Sequence, residues 1–272
     1  MINIIFSGNY KVFDGMLTAL LSIVKHTNRQ LNVLIFTMDL PKLNPNFLSV
    51  SDRDIKILQN VVQEVNPKST ITKVDLTDTF SKEMINSVNI ETGYTPYTFL
   101  RLFADMMDIV PDKVLYLDVD LMANDDISKL YDIDITDYEF AGSRDYYGKV
   151  FFYPTYCNAG VLLLNMKKIR ETKTFEKCRN LLNVKKVFLT DQTVLNKFAT
   201  KKLILNRRFN EQKRVRKDTV IRHFSKTIKF FPWFHTQNIK QWQIELLHEK
   251  LKCHDFDDIL GRYLNIKNSK LK

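Results

Sequence analysis

The chain has 272 residues, 44% hydrophobic and 26% charged, a composition that supports one large domain or two modest ones and excludes a disordered or fibrous protein. Three cysteines (Cys157, Cys178, Cys253) are too few and too scattered for a disulfide framework, no CxxC pair suggests a zinc knuckle, and no apolar run reaches membrane-spanning length. The net charge of +10 is uneven, with 23 basic and 24 acidic residues in 1–200 against 18 and 7 in 201–272.

Such a field attracts phosphate-rich partners, nucleotides or an anionic membrane surface among them, although solubility alone would also account for it. No motif with groove-reading or base-stacking geometry supports nucleic acid as a partner. The opening MINIIFSGNYK lacks the features of a signal peptide, so a reducing, cytoplasmic setting is expected.

The first element is a strand over 2–6, stopped by Ser7-Gly8-Asn9. A helix follows over 13–24, with Leu17, Leu20, Leu21 and Val24 at helical spacing. A strand over 33–36, a helix over 52–65 and a strand over 70–74 continue the alternation, which favours a mostly parallel sheet covered by helices. Leu102, Phe103 and Met106 mark a helix over 97–108 that Pro111 closes. The strand over 114–117 runs directly into Asp118-Val119-Asp120, while Asp125 and Asp126 read as a solvated loop and a cap to the 127–131 turn. A strand over 160–164 is entered through Cys157-Asn158-Ala159. Helices are expected over 167–182 and 190–198, the second capped by Thr190 with Asp191 in its first turn. A short strand at 220–221 ends at Arg222-His223, and weakly amphipathic helices follow from about 235. The simplest division is one α/β domain over 1–234 and a basic helical extension over 235–272.

Ligands of open α/β sheets collect beyond the carboxyl ends of the strands, where Asp118 and Asp120 fall. In an extended strand residues two apart point the same way, so both carboxylates would face one cavity. Two like charges this close repel unless a cation sits between them, and hard oxygen ligands suit Mg2+ or Mn2+ beside substrate phosphates. A turn or cap after the strand is the alternative reading of the same residues.

The run Arg101-Leu102-Phe103, then Pro111-Asp112-Lys113-Val114-Leu115-Tyr116-Leu117-Asp118-Val119-Asp120, resembles the core of glycosyltransferase family 8. Further blocks agree in order: Tyr156 to Asn165, Asp191-Gln192, Arg208-Phe209-Asn210, and Arg222-His223-Phe224 ahead of Lys229 and Pro232-Trp233. The resemblance covers roughly residues 2–235. It implies the α/β GT-A nucleotide-diphospho-sugar transferase fold, with a single, mostly parallel central sheet and flanking helices.

The resemblance also implies a metal-dependent enzyme that transfers galactose or glucose, with retention, from a UDP-sugar to a glycan, glycolipid or glycoprotein acceptor. Asp118, Asp120 and His223 match the family's metal ligands, for Mn2+ or alternatively Mg2+. Without the resemblance, His223 reads as a strand-end histidine satisfied by a backbone hydrogen bond. Asn9, Tyr10, Arg101, Asp118, Val119 and Lys226 or Lys229 match positions that hold the donor, with Tyr10 against the uracil ring and one of the two lysines on the diphosphate. This sequence departs from the family there: Lys226 replaces a usual glycine, and Phe230-Phe231 separate Lys229 from Pro232. Asp145, Asn158, Asp191 and Gln192 match residues around the transferred sugar. Gln192 is the one nearest the anomeric carbon; a front-face substitution is the expected route, with covalent attack by Gln192 or Asp191 as the alternative.

Phe230, Phe231, Trp233 and Phe234, with the basic pairs Lys201-Lys202, Arg207-Arg208, Lys213-Arg214 and Arg216-Lys217, suggest peripheral contact with the inner face of an anionic membrane. Packing of those aromatics on the catalytic domain is the competing expectation. Other readings of the aspartate pair are a nucleotidyltransferase, a metal-dependent nucleotide-sugar hydrolase, or a nucleotide-sugar binding protein without transferase activity.

Overall fold

The computed structural model of the protein describes residues 1–90, 95–229, 233 and 235–270. Seven strands form the main sheet: β1 (Ile2–Ser7), β2 (Leu31–Thr37), β3 (Thr70–Asp75), β4 (Lys113–Leu117), β6 (Phe140–Arg144), β7 (Cys157–Asn165) and β8 (Lys202–Leu205), in the order β3-β2-β1-β4-β7-β6-β8. Four of the six pairings are parallel; β7 alone runs against both of its neighbours, β4 and β6. Two small antiparallel ribbons join β5 (Leu121–Ala123) to β9 (Ile221–His223) and β10 (Thr227–Lys229) to β11 (His235–Gln237).

The two faces of the sheet explain why its strands read as unbroken apolar runs. Ile2, Ile4 and Phe6 of β1, Val33 and Ile35 of β2, and Leu115 and Leu117 of β4 enter one core. Their neighbours Ile5, Leu34, Phe36, Val114 and Tyr116 enter the other. A strand covered on both sides has no solvent face to reserve for polar residues.

The first core is closed by α1 (Phe13–His26) and α2 (Asp52–Val65), the latter capped by Ser51, whose hydroxyl accepts from Asp54 N. On the second side lie α3 (Thr77–Met84), α6 (Met166–Thr172), α7 (Thr174–Val184) and α8 (Thr190–Phe198), with a 3-10 helix over Pro96–Met106. Single turns α4 (Ser128–Tyr131) and α5 (Gly148–Phe151) lie in connections, and α9 (Ile244–Leu251) and α10 (Asp257–Lys270) end the described chain. No helix among the described residues is long and apolar enough to cross a membrane.

Several local expectations are corrected. The segment predicted as an ordinary helix over 97–108 is wound as a 3-10 helix, in which Tyr97, Leu100 and Phe103, three residues apart, stack in one row facing the second core. The helix predicted over 167–182 is broken at Lys173, which is left-handed (φ 54). There Thr172 and Thr174 share a hydroxyl contact of 2.8 Å, and Thr174 also donates to buried Glu139 at 2.9 Å. Thr190 does not cap α8: it lies inside the helix, and its hydroxyl turns onto its neighbour Asp191.

The last helices are part of the first core. Leu247, Phe256, Ile259, Leu260 and Tyr263 are buried with Leu17 and Leu20, and the Phe256 ring meets Phe224 edge-on at 6.2 Å. Lys267 reaches Asp14 (2.7 Å) and Lys25 reaches Asp258 (2.6 Å), tying α10 to α1 at their margins. Phe256→Ala is therefore expected to cost about 3–5 kcal/mol, the range for truncating a buried phenylalanine. Urea unfolding reads this directly, and an unchanged midpoint would mean that the tail adds nothing to the core.

Candidate active site

The aspartate pair does not lie on an extended strand, as its spacing suggested. β4 stops at Leu117, and residues 118–120 form a bend before β5. Backbone bonds hold that bend from both sides: Asp118 N donates to Gly160 O on β7, and Phe224 N beyond β9 donates to Asp120 O. The β5–β9 ribbon sets Leu121 opposite His223, which brings an imidazole 103 residues from Asp120 in sequence onto the two carboxylates. One ligand atom each from Asp118, Asp120 and His223 lies within 4.8 Å of the others.

Asp118 accepts from Arg101 Nη2 at 2.8 Å and from Tyr116 Oη at 3.0 Å, both on Oδ1, which leaves Oδ2 facing His223 at 3.8 Å. His223 is 2% exposed, with Nε2 3.1 Å from Asp120 Oδ1 and Nδ1 3.0 Å from Asn210 Oδ1. Since the Asn210 amide group donates to Asn158 Oδ1 (2.9 Å), its oxygen is left to accept from Nδ1–H. Nε2 is then the nitrogen turned toward the carboxylates, and with a cation seated between them it would give its lone pair, the arrangement of a metal-binding histidine with a second-sphere partner. Two carboxylates and one imidazole fit Mn2+, or Mg2+ with less use for the nitrogen.

Gly160 is required for this approach. A Cβ there would stand 2.3 Å from His223 Cε1 and 2.6 Å from Asp118 Oδ2, inside both side chains.

A second cluster adjoins the first through Asn210 and Asn158. Asn158 Nδ2 donates to Asp145 Oδ2 (2.9 Å) and to Gln192 Oε1 (3.2 Å), and Gln192 Oε1 also accepts from Ala159 N (3.0 Å). Asp145 Oδ1 accepts from Tyr147 N and Gly148 N at the start of α5. Asp191 is buried between Arg101 Nε (3.2 Å) and the Thr190 hydroxyl; burial raises its pKa, with Arg101 opposing. Asp145, Asn158 and Gln192, three of the four residues expected around a sugar, thus stand together, with Asp145 and Gln192 partly open to solvent, whereas Asp191 is turned to Arg101 and Thr190.

The remaining expected residues are more scattered. Arg101 is 4% exposed, and its donors go to Thr98 O, Ala159 O, Asp118 and Asp191, with the guanidinium 4.0 Å above the Tyr116 ring. Asn9 is buried and caps the following turn, and Tyr10 is exposed with its hydroxyl 3.3 Å from Asn46. Val119 gives its carbonyl to Gln241 Nε2 at 2.9 Å. Lys226 and Lys229 are both exposed, with no hydrogen bond or ion pair of either side chain among the described residues. Of the expected aromatic cluster, Trp233 is exposed, while Phe230, Phe231 and Phe234 lie outside the described residues.

Sequence reasoning missed Lys240, whose ammonium pairs with Asp120 Oδ2 and donates to Phe224 O at 3.1 Å. Burial works against the charge of Asp120, yet Lys240 and His223 hold its carboxyl far below the usual range. Lys240 is carried there by Gln241, which is fully buried and also reaches Thr18, and by Trp242, packed against Gly15. Asn210 and Tyr116 lie within the motifs that resemble the family, yet nothing in the sequence singles them out. A buried Asn two residues after an arginine, or a strand tyrosine, carries no signal until its partner is in view.

The profile of Glycosyl transferase family 8 matches residues 2–243. The chain belongs to that family. A putative glycosyltransferase of Haemophilus influenzae is 29% identical over 223 residues, covering 76% of this chain and 62% of its own. Glycosyltransferase GlyA of Streptococcus pneumoniae is 30% identical over 196 residues, 71% of this chain and 25% of its own. The chain thus spans less than two thirds of the length of these relatives. Among solved structures, an active-site mutant of LgtC has a TM-score of 0.67 at 18% identity, covering 98% of this chain and 96% of its own. Galactosyltransferase LgtC with donor and acceptor sugar analogs has a TM-score of 0.63 at 18% identity, covering 98% and 96%. These likenesses show the fold, the GT-A arrangement of a mostly parallel sheet between helices.

Gly160→Ala is expected to weaken Mn2+ binding by roughly 10–100-fold, as displacing an outer-sphere support does. Calorimetric titration of the folded variant measures it, and an unchanged affinity would separate Gly160 from the cluster. Lys240→Met tests the Asp120 pair through pH. A carboxyl with a depressed folded pKa stabilises the fold above its unfolded value and loses that contribution as pH falls. The variant should be less stable than wild type by about 1–3 kcal/mol at pH 7. That gap should shrink below about pH 4, where the unfolded carboxyl protonates; urea titrations at pH 7 and 3 give both numbers.

Proposed function

We propose that this chain is a metal-dependent, retaining hexosyltransferase that moves galactose or glucose from a UDP-sugar to a glycan, glycolipid or glycoprotein acceptor. The observation that carries the reading is the junction of two clusters: Asp118, Asp120 and His223 on one side, Asp145, Asn158 and Gln192 on the other, linked through Asn210. One suits a cation and the diphosphate it would accompany; the other suits the hydroxyls of a sugar.

Mn2+, or Mg2+, held by Asp118, Asp120 and His223 would offset the negative charge that grows on the departing diphosphate. Lys226 or Lys229, exposed around β10, supplies a further positive group for the same oxygens. Asn9 and Tyr10 at the end of β1 receive the uridine, with the Tyr10 ring open to stack on the base. Arg101 acts from beneath, keeping Asp118 and Asp191 aimed, and Val119 contributes through its backbone at the bend.

Asp145, Asn158 and Gln192 then orient the sugar. The Gln192 oxygen is fixed by Asn158 and Ala159 N, so its Nε2, 3.4 Å from Asp145 Oδ2, is the end left to donate to a sugar oxygen. Both oxygens of Asp191 are occupied, by Arg101 and Thr190, which argues against attack by that carboxylate and for front-face substitution. In that route the bond from the anomeric carbon to the phosphate oxygen breaks, the bond to the acceptor oxygen forms on the same face, and a diphosphate oxygen takes the acceptor's proton.

Two exposed rings flank this cluster: Phe152, stacked on the buried Tyr156 ring at 4.6 Å, and Phe188, 6.2 Å from Phe152. They offer apolar faces for the acceptor's sugar rings. Residues 1–234 form the catalytic domain and 235–272 the extension, whose opening stretch lends Lys240 to the site. The exposed cations Lys201, Arg208, Arg214 and Lys217 suit peripheral contact with the inner, anionic face of a membrane.

A donor screen with Mn2+, reading release of the nucleoside diphosphate, tests the reading. UDP release from one hexose donor should vanish with a chelator and fall at least roughly 100-fold in Asp120→Ala. Turnover that continues undiminished in metal-free buffer would overturn it.

A further inference from the structure

A second group of metal-binding side chains lies outside the candidate active site. His248 ends near the last turn of α9, the chain reverses at Lys252 in a left-handed conformation (φ 51), and His254 and Asp257 follow at the start of α10. His248 Nε2 lies 2.7 Å from Asp257 Oδ1, and His254 Nδ1 lies 3.2 Å from Asp257 Oδ2. The two imidazole rings stack at 4.3 Å with 26° between their planes. One nitrogen or oxygen from each of the three lies within 4.8 Å of the others.

We propose that His248, His254 and Asp257 form a second divalent-cation site, for a borderline metal such as Zn2+, that fastens the corner between α9 and α10. Two imidazoles and a carboxylate, with water completing the shell, are a donor set that zinc takes readily. The active-site group differs, with two carboxylates and one imidazole, and suits a harder ion. Zinc–ligand bonds of about 2.0–2.2 Å place neighbouring tetrahedral ligands about 3.3 Å apart. The 2.7 and 3.2 Å separations at the corner therefore need only small outward shifts to admit an ion.

The corner is prepared for this from below. Leu247, beside His248, and Phe256, beside Asp257, are both buried in the first core, so the ligands sit on anchored backbone. Cys253 is not a fourth ligand: its thiol is turned toward Asp255 at 3.5 Å, and burial pushes its pKa up to about 11. The ion would join the end of one tail helix to the start of the next, in the segment that packs on α1.

The test uses the full chain carrying Asp120→Ala, which disables the other group, titrated with Zn2+ by calorimetry. One zinc should bind per chain, and adding His254→Ala should weaken it at least tenfold. His254 is mostly exposed, so that variant is expected to fold, and Asp257→Asn provides a second, independent lesion. Zinc should also raise the thermal midpoint of Asp120→Ala and leave that of the double variants unmoved. Equal zinc stoichiometry and affinity with and without His254, or no zinc bound at all to Asp120→Ala, would overturn the proposal.

Discussion

The arrangement around the aspartate pair depends on one buried guanidinium. Arg101 leaves the 3-10 segment and binds the end of β4 through Asp118, the start of β7 through the Ala159 carbonyl, and α8 through Asp191. A charge this deep is costly unless its donors are met, and here they are met by groups from separate elements. Those elements are thereby fixed to one another, and the outward oxygen of Asp118 inherits that precision. The unusual length of the 3-10 segment is consistent with the same demand, because its side chains are buried along nearly the whole row around Arg101.

Much of this was legible in the sequence. The alternating strands of the first half showed as apolar runs because both sheet faces are covered, and the aspartate spacing marked a strand end even though the backbone bends there. The resemblance named His223, Asp145, Asn158 and Gln192 together, which no local pattern would have joined and which hydrogen bonds through Asn210 connect in the structure. The misses have a common cause. Lys240 and Asn210 matter through partners far along the chain, and a lone lysine in a basic region or an asparagine in a loop has no periodicity to betray it. The break at Lys173 likewise depends on Glu139, a buried carboxylate from the other side of β6 in sequence.

Charge is distributed to match. Residues 201–229 carry eleven lysines and arginines against Glu211 and Asp218 alone. Those two acids are already engaged, by Arg207 and Arg216 for Glu211 and by Arg207 for Asp218. The positive field is therefore centred on the stretch that delivers His223, Lys226, Lys229 and Lys213, whose ammonium rests on the rings of Tyr146 and Tyr147 beside Asp145. A polyanionic ligand is drawn toward the strand ends before any specific contact is made.

The dependence of the bend on Lys240 and Gln241 sets an order of events during synthesis. A ribosome completes β1 to β4 long before it reaches residue 240, so the nascent sheet carries Asp120 without its ammonium partner and Val119 without its amide donor. Contacts spanning 120 residues form late because so much chain must be gathered first. Until residues 240–242 are in place, the acidic bend lacks the ammonium and the amide that hold it, so the last quarter of the chain completes a site whose carboxylates lie in its middle.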